Sequence, residues 1–191
     1  MRLFVALEIS EAWRDAARAT LRAVTGALAA DPLAAGQLRP VDPALIHLTL
    51  RFAGEVDGGV AAGIERELRA VPPVAVELEL APAGTFGAAA RSSVLWLGVG
   101  GDLHGLRALA ERVDAAVERA GLPPDGGRFR PHLTLARVRR QATGAQRRAI
   151  AAAVVAAPPP ERAPLRTVEV VLVRSHLGGR QLRYEVLSRH R

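Results

Sequence analysis

Apolar positions along the chain change period several times, and each change marks an element. Residues 2–9 form a nearly unbroken apolar run that reads as a buried first strand. Behind Ser10 as N-cap, Trp13, Ala17, Leu21, Val24 and Leu28 recur at helical spacing, predicting a helix over 11–30 that Asp31-Pro32 ends. Residues 36–43 read as a loop or short strand, 46–53 as a strand punctuated by Gly54 and Gly58-Gly59, and 61–70 as a helix. Alternation then predicts strands over 74–81 and 93–99, with the Gly- and Ala-rich stretch 84–92 as a loop between them. A second round begins there. Leu106, Leu109, Val113 and Val117 share one face of a helix over 102–120 stopped by Gly121, residues 129–139 read as a strand, and Thr143 caps a helix over 144–157. Pro158-Pro159-Pro160 forces an extended connector, and two last strands, 166–175 and 180–188, are joined across Gly178-Gly179 as a hairpin. The order predicts an α+β chain whose halves echo one another.

The echo is literal at one point. His47-Leu48-Thr49-Leu50 and His132-Leu133-Thr134-Leu135 are the same tetrapeptide, each near the middle of a half. Strand side chains alternate between faces, so each copy turns His and Thr one way and both Leu the other. Two central strands, each with an apolar core face and a wet imidazole-hydroxyl face lining a cleft, are the expectation. His104, His176 and His190 have no such matched partner and read as structural or exposed.

Composition bounds the chemistry. The 191 residues, 49% of them hydrophobic, suffice for a proper core, as one domain or two small pseudo-symmetric lobes. The net charge of +7 favours a polyanion such as RNA, but all 26 basic residues are Arg and the chain has no Lys and no Asn. Coding from a GC-rich genome is an equal source of that charge. With no Cys, disulfides and thiolate metal sites are excluded, and no H-x-H, H-E-x-x-H or phosphate-loop pattern points to a metal or to ATP. No apolar stretch is long enough to span a bilayer, and Glu8 interrupts the short apolar start, so the expectation is a cytoplasmic protein without membrane contact.

The paired motifs with their flanks carry a resemblance. Arg2-Leu3-Phe4-Val5-Ala6, the phrase from His47 through Arg51-Phe52-Ala53-Gly54-Glu55-Val56, and Phe129-Arg130-Pro131-His132-Leu133-Thr134-Leu135-Ala136-Arg137 resemble the two-histidine (2H) phosphoesterase superfamily, in its bacterial and archaeal RNA 2′,3′-cyclic phosphodiesterase branch, also called 2′-5′ RNA ligases. The likeness extends to Arg174-Ser175-His176-Leu177-Gly178 and Tyr184-Glu185-Val186-Leu187. It implies a single bilobal domain over 1–191 with antiparallel sheets lining a central cleft and one motif per lobe. It also implies hydrolysis of a terminal RNA 2′,3′-cyclic phosphate to a 2′-phosphate without metal or other cofactor. The partner would be RNA carrying such an end, with no obligate protein partner and a monomeric enzyme. Alternatives are a 2H activity on a small cyclic nucleotide or a 2′-5′ oligonucleotide, and a non-catalytic RNA-end-binding protein.

The residues make chemical sense of the resemblance. Opening a cyclic phosphodiester needs a base for the incoming water and an acid for the departing 3′-oxygen, and two imidazoles titrating near neutrality supply both. The resemblance assigns His47 as proton donor and His132 as proton acceptor; the symmetric motif alone does not distinguish them. Thr49 and Thr134 are candidates to donate hydrogen bonds to the non-bridging oxygens. Arg130 and Arg137 are candidate phosphate contacts, Arg130 by strand parity and Arg137 by the resemblance, since its parity is wrong unless the strand bends. Arg51 reads as an exposed strand residue, and Phe4 and Phe52 read as core.

Overall fold

The computed structural model describes residues 1–72, 74–166, 169–176 and 182–190. Their strands are β1 (Arg2–Leu7), β2 (Leu38–Pro40), β3 (Leu48–Glu55), β4 (Leu78–Phe86), β5 (Val94–Gly101), β6 (His132–Val138), β7 (Val170–His176) and β8 (Arg183–His190). The helices are α1 (Glu11–Ala27), α2 (Pro32–Ala35), α3 (Gly58–Arg69), α4 (Leu103–Arg119) and α5 (Gly144–Ala156). None of the described helices is long and apolar enough to cross a membrane.

Caps set the helix starts. Ser10, Asp31, Asp57, Asp102 and Thr143 each accept a backbone N–H of the first turn, and Thr143 forms a reciprocal capping box with Gln146. Asp31-Pro32 therefore ends one helix and also starts another, the one-turn α2. In α1 the buried row is Trp13, Ala17, Thr20 and Val24, with Leu21 at its edge. Trp13 donates its indole N–H to Ala163 O at 2.6 Å, fastening the proline-rich connector to the helix.

All pairings are antiparallel, and the sheet runs β4-β5-β6-β3-β1-β7-β8, with β2 beside β6. The two halves interlock. β4, from the first half, pairs with β5 of the second, while β7, from the second, pairs with β1 of the first. Helices cross over as well, α1 lying against β6 and α4 against β3. One large apolar core joins the helices to one face of the sheet and contains Leu48, Leu50, Leu133 and Leu135. The α+β fold with a sheet-lined cleft is thus as expected.

The seam between the halves is narrow. β3 and β6 are joined by one backbone pair, Leu48 with Leu133, and both are the second residue of their tetrapeptide. An antiparallel pair between identical motif positions is what a local two-fold relation requires. Beyond it the strands diverge, leaving a cleft on the face opposite the helices.

Several boundaries differ from expectation. β4 begins later than residue 74 and runs on to Phe86, so part of the anticipated loop 84–92 is strand; its remainder holds a 3-10 turn over Ala89–Arg91. Gly84 permits this, because the Trp96 ring lies where a Cβ at 84 would stand. The hairpin turn expected at Gly178-Gly179 lies outside the described residues.

Candidate active site

Both motifs deliver what alternation predicts. Leu48, Leu50, Leu133 and Leu135 are buried against the helices, while His47, Thr49, His132 and Thr134 line one cavity of about 510 Å³. Arg137, Arg2, Phe4, Phe52, Phe86 and Tyr184 complete most of its wall.

The two imidazoles are held alike. Nδ1 of His47 lies 2.7 Å from Leu45 O, and Nδ1 of His132 lies 2.7 Å from Arg130 O. A carbonyl oxygen only accepts, so each Nδ1 carries the proton. The free Nε2 of each ring is left for the cavity, as lone pair when neutral and as acid when protonated. Rings pack around them: Phe4 stacks on His47 with centroids 4.5 Å apart, Tyr184 meets His47 edge-on at 5.3 Å, and Phe86 meets His132 edge-on at 4.8 Å. Aromatic walls lower the local dielectric and fix the ring planes.

Burial pushes both imidazoles below their ordinary value of 6.5, and the carbonyl hydrogen bonds oppose the shift only in part. A lesser push on His47 comes from the charge of His132, and on His132 from Arg137. At neutral pH both rings are therefore biased toward the neutral form in the empty site. Burial likewise raises the Tyr184 phenol, with Arg137 and Arg2 acting against it.

A bulge repeats in both motif strands and sets where the residues after the threonine point. Ala6 and Val5 of β1 face Thr49 and Arg51, so Leu50 is an extra residue; Trp96 and Leu95 of β5 face Thr134 and Ala136, so Leu135 is an extra residue. Two consecutive side chains then point to the same face, and parity inverts beyond them. Leu50 and Arg51 are both buried, as are Leu135 and Ala136, and the next residue in each strand, Phe52 or Arg137, emerges on the cleft side.

The bulge corrects two expectations and resolves a third. Arg51 is buried, 8% exposed, rather than a solvated strand residue, and its guanidinium Nε lies 2.5 Å from Asp114 Oδ1. Phe52 is 55% exposed and in the cavity wall, not in the core. Arg137, whose alternation pointed the wrong way, is turned toward His132. Arg130 is exposed and is not among the residues lining the cavity; its backbone carbonyl is what reaches His132. Phe4 is buried as expected, but on the cleft face in a small cluster with Ala6, Val171 and Val173.

The other histidines stand apart. His104 is exposed, His176 pairs with Glu185 at 2.7 Å, and His190 lies 2.9 Å from Ser188 Oγ. Sequence reasoning missed Phe86 and Tyr184 as ring partners of the histidines. Only pairing across strands places them there, since Phe86 and Tyr184 are far from both motifs along the chain.

Comparison with known proteins gives the family and the fold. A protein of Aeropyrum pernix named RNA 2′,3′-cyclic phosphodiesterase is 36% identical over 102 residues, covering 53% of this chain and 58% of that protein. The chain thus spans little more than half the length of that relative in the match. One of the same name from Archaeoglobus fulgidus is 30% identical over 141 residues, 74% of each chain. Among solved structures, a Thermus thermophilus protein superposes with a TM-score of 0.73 at 25% identity, covering 99% of this chain and 96% of its own. E. coli LigT in complex with 3′-AMP gives 0.73 at 25% identity, covering 98% and 95%. The 2′-5′ RNA ligase superfamily profile matches residues 8–179, both histidine motifs included, and the chain belongs to that superfamily.

Proposed function

We propose that the protein hydrolyses the 2′,3′-cyclic phosphate at the end of an RNA to a 2′-phosphate. The observation that carries this reading is the pair of equivalent histidines, each with Nδ1 held by the carbonyl two residues before it and each facing the same cavity. The names of the relatives support it.

The chemistry is an in-line displacement at phosphorus. His132 Nε2 takes a proton from water as the water oxygen bonds to phosphorus; the bond from phosphorus to the 3′-oxygen breaks, and His47 Nε2–H gives its proton to that oxygen. The direction is supported by Arg137. A permanent cation beside His132 disfavours its protonated form, as a base requires, whereas His47 has no such cation among the causes acting on it. Binding of an anionic phosphate favours the protonated form of either ring, and because Arg137 opposes it at His132 the proton is left to His47 as the acid. Thr49 and Thr134 donate to the non-bridging oxygens, and Arg137 holds the phosphate, its charge meeting the charge that grows in the transition state. Arg130 acts through its carbonyl on His132, and a phosphate contact by its side chain would require it to enter the cleft from the rim.

Both motifs come from one chain and meet at the seam, which supports one bilobal working unit over 1–191 and a monomeric enzyme. A cavity of about 510 Å³ has the size of a site for a single small ligand, so the enzyme reads a terminus rather than a track of bases. Joining a cyclic end to a 5′-hydroxyl is the same step with an RNA hydroxyl in place of water, and is minor in dilute solution.

The test is incubation of a short RNA ending in 2′,3′-cyclic phosphate, with EDTA present, followed by mass and phosphatase analysis of the end. A 2′-phosphate product that disappears with His47→Ala and with His132→Ala is expected. Survival of the cyclic end despite binding of the oligonucleotide would overturn hydrolysis in favour of end binding, and turnover of cyclic mononucleotides alone would overturn RNA as substrate.

A further inference from the structure

The buried arginine of the first motif strand holds the segment that orients the second histidine. Arg51 donates Nη2–H to Pro123 O at 2.5 Å and Nη1–H to Phe52 O at 2.7 Å, its Nε stands against Asp114 of α4, and Asp125 Oδ2 lies 3.9 Å from Nη1. Asp125 N–H in turn reaches the Asp114 carboxylate at 3.3 Å, and Asp125 Oδ1 accepts Gly127 N–H at 3.2 Å. A buried guanidinium is costly unless its donors are paired, and here every partner outside β3 lies on α4 or on the segment that leaves it.

That segment has little else to hold it. Ala120, Gly121 and Leu122 bond back to α4, but among the described residues no backbone-backbone hydrogen bond ties residues 123–131 to another part of the chain. Pro123, Pro124 and Pro131 lack the N–H to make one. Phe129 packs partly on the core, and the Arg51 cluster supplies the polar tether. The segment ends at Arg130, whose carbonyl sets the tautomer and plane of the His132 ring.

His47 is supported differently. Its carbonyl partner, Leu45, closes a 3-10 turn over Pro43–Leu45 whose first N–H groups are capped by Asp42, with Leu45 N–H donating to Asp42 O at 2.8 Å. No atom of the Arg51 cluster takes part. The counterpart of Arg51 in the second strand is the buried Ala136, so the clamp exists in one direction only.

We infer that Arg51 is a positioning residue for His132: by clamping residues 123–127 to the first motif strand it fixes Arg130 O, and thereby holds the His132 ring with Nδ1 protonated and Nε2 turned to the cavity. The inference rests on the proposed reaction only in its kinetic readout.

The test tracks the two imidazoles separately, by nitrogen-15 shifts in protein labelled at histidine. Arg51→Met with Asp114→Leu removes both charges, so that no lone carboxylate stays behind, and Arg51→Lys keeps one charge facing Asp114 while losing the fork that reaches Pro123 O and Phe52 O. In both variants His132 should drift from the Nδ1–H form toward the mixture of a free imidazole, with His47 unchanged. On a cyclic-phosphate RNA end kcat should fall on the order of 10²-fold in the double variant with little change in KM, as expected for a misplaced catalytic group. If the double variant does not fold, Arg51→Lys decides alone. A folded variant with both rings still Nδ1–H and kcat within about twofold of the parent would overturn the inference, as would equal disturbance of His47 and His132. Absence of turnover in the parent protein would sink the proposed reaction and leave the imidazole comparison standing.

Discussion

Phe52 and Arg137 occupy equivalent places in the two halves, each one residue beyond a bulge that comes after the motif threonine and each turned into the same cavity. Up to the threonines the two strands offer identical chemistry. Beyond them one offers an exposed ring and the other a cation, so the cavity is symmetric in its histidine-threonine pairs and asymmetric in the side chains beyond them.

That asymmetry predicts a split in kinetics. Arg137→Met removes the charge that the proposed reaction uses to bind phosphate and stabilise its transition state, and should lower kcat/KM about 10²–10³-fold. Phe52→Ala removes an exposed stacking surface, worth about 1–3 kcal/mol per base, together with a tilted contact to Phe4 at 5.9 Å, and should act mainly by raising KM. Steady-state rates on a cyclic-phosphate RNA end check both, and a Phe52→Ala enzyme impaired mainly in kcat would contradict a role in binding alone.

Acidity should cost stability over a window set by the two imidazoles, and the same shifts should move the pH profile of activity. His47 and His132 are depressed below 6.5 mainly by burial, so the folded state favours their neutral forms, and protonating them costs more when folded than when unfolded. Their contribution is therefore full above about pH 6.5 and is lost as pH falls through the depressed values. Denaturant midpoints of the parent should decline below pH 6.5, and the decline should be smaller with both rings replaced by Gln. His190, lowered mainly by burial as well, keeps a part of it, and Glu67 and Glu185, lowered mainly by their hydrogen bonds to Arg119 and His176, add to the loss at lower pH. In the proposed reaction kcat/KM needs His132 neutral and His47 protonated, and because both rings are lowered the whole bell of kcat/KM should be displaced toward acid from that of two ordinary imidazoles.

How far each cue reaches along and across the chain decides what was legible in the sequence. The tetrapeptide repeat marked both histidines, both threonines and their shared face, because a two-residue period within one strand needs no knowledge of neighbours. Helix starts were legible from Ser10 and Thr143 for the same reason, their hydrogen bonds closing within three residues. Arg51 and Phe52 were misread because alternation was carried through a bulge, which is a property of two strands in register. The conflict at Arg137 was the one local sign of it, and the repeat implied that whatever bent the second strand bent the first. Phe86 and Tyr184 approach their histidines only through cross-strand pairing.

The threonines should matter to rate and not to folding. Thr49 and Thr134 are part-exposed in the cavity, and no protein group among the described residues accepts from either hydroxyl. Their hydrogen-bonding capacity is free for a phosphate oxygen. Thr49→Val and Thr134→Val should each lower kcat by about 10²-fold, the cost of one donor to a developing oxyanion, while thermal midpoints stay near that of the parent. A rate unaffected by both substitutions together would remove the hydroxyls from the mechanism.

Gly84 ties the outer strand β4, which comes from the first half, to His132 of the second. A methyl at residue 84 would overlap the Trp96 ring, and Trp96 in turn packs 5.5 Å from Phe86, the ring that meets His132 edge-on. Overpacking of this kind costs about 1–3 kcal/mol. Gly84→Ala should therefore lower the denaturant midpoint and also reduce kcat, because Trp96 can yield only toward neighbours that include Phe86. Trp96→Phe in the same chain removes the ring atoms that overlap and should restore part of both. If Gly84→Ala lowers stability while the His132 titration and kcat stay at parental values, the packing of Phe86 does not reach the imidazole, and the aromatic wall serves the fold alone.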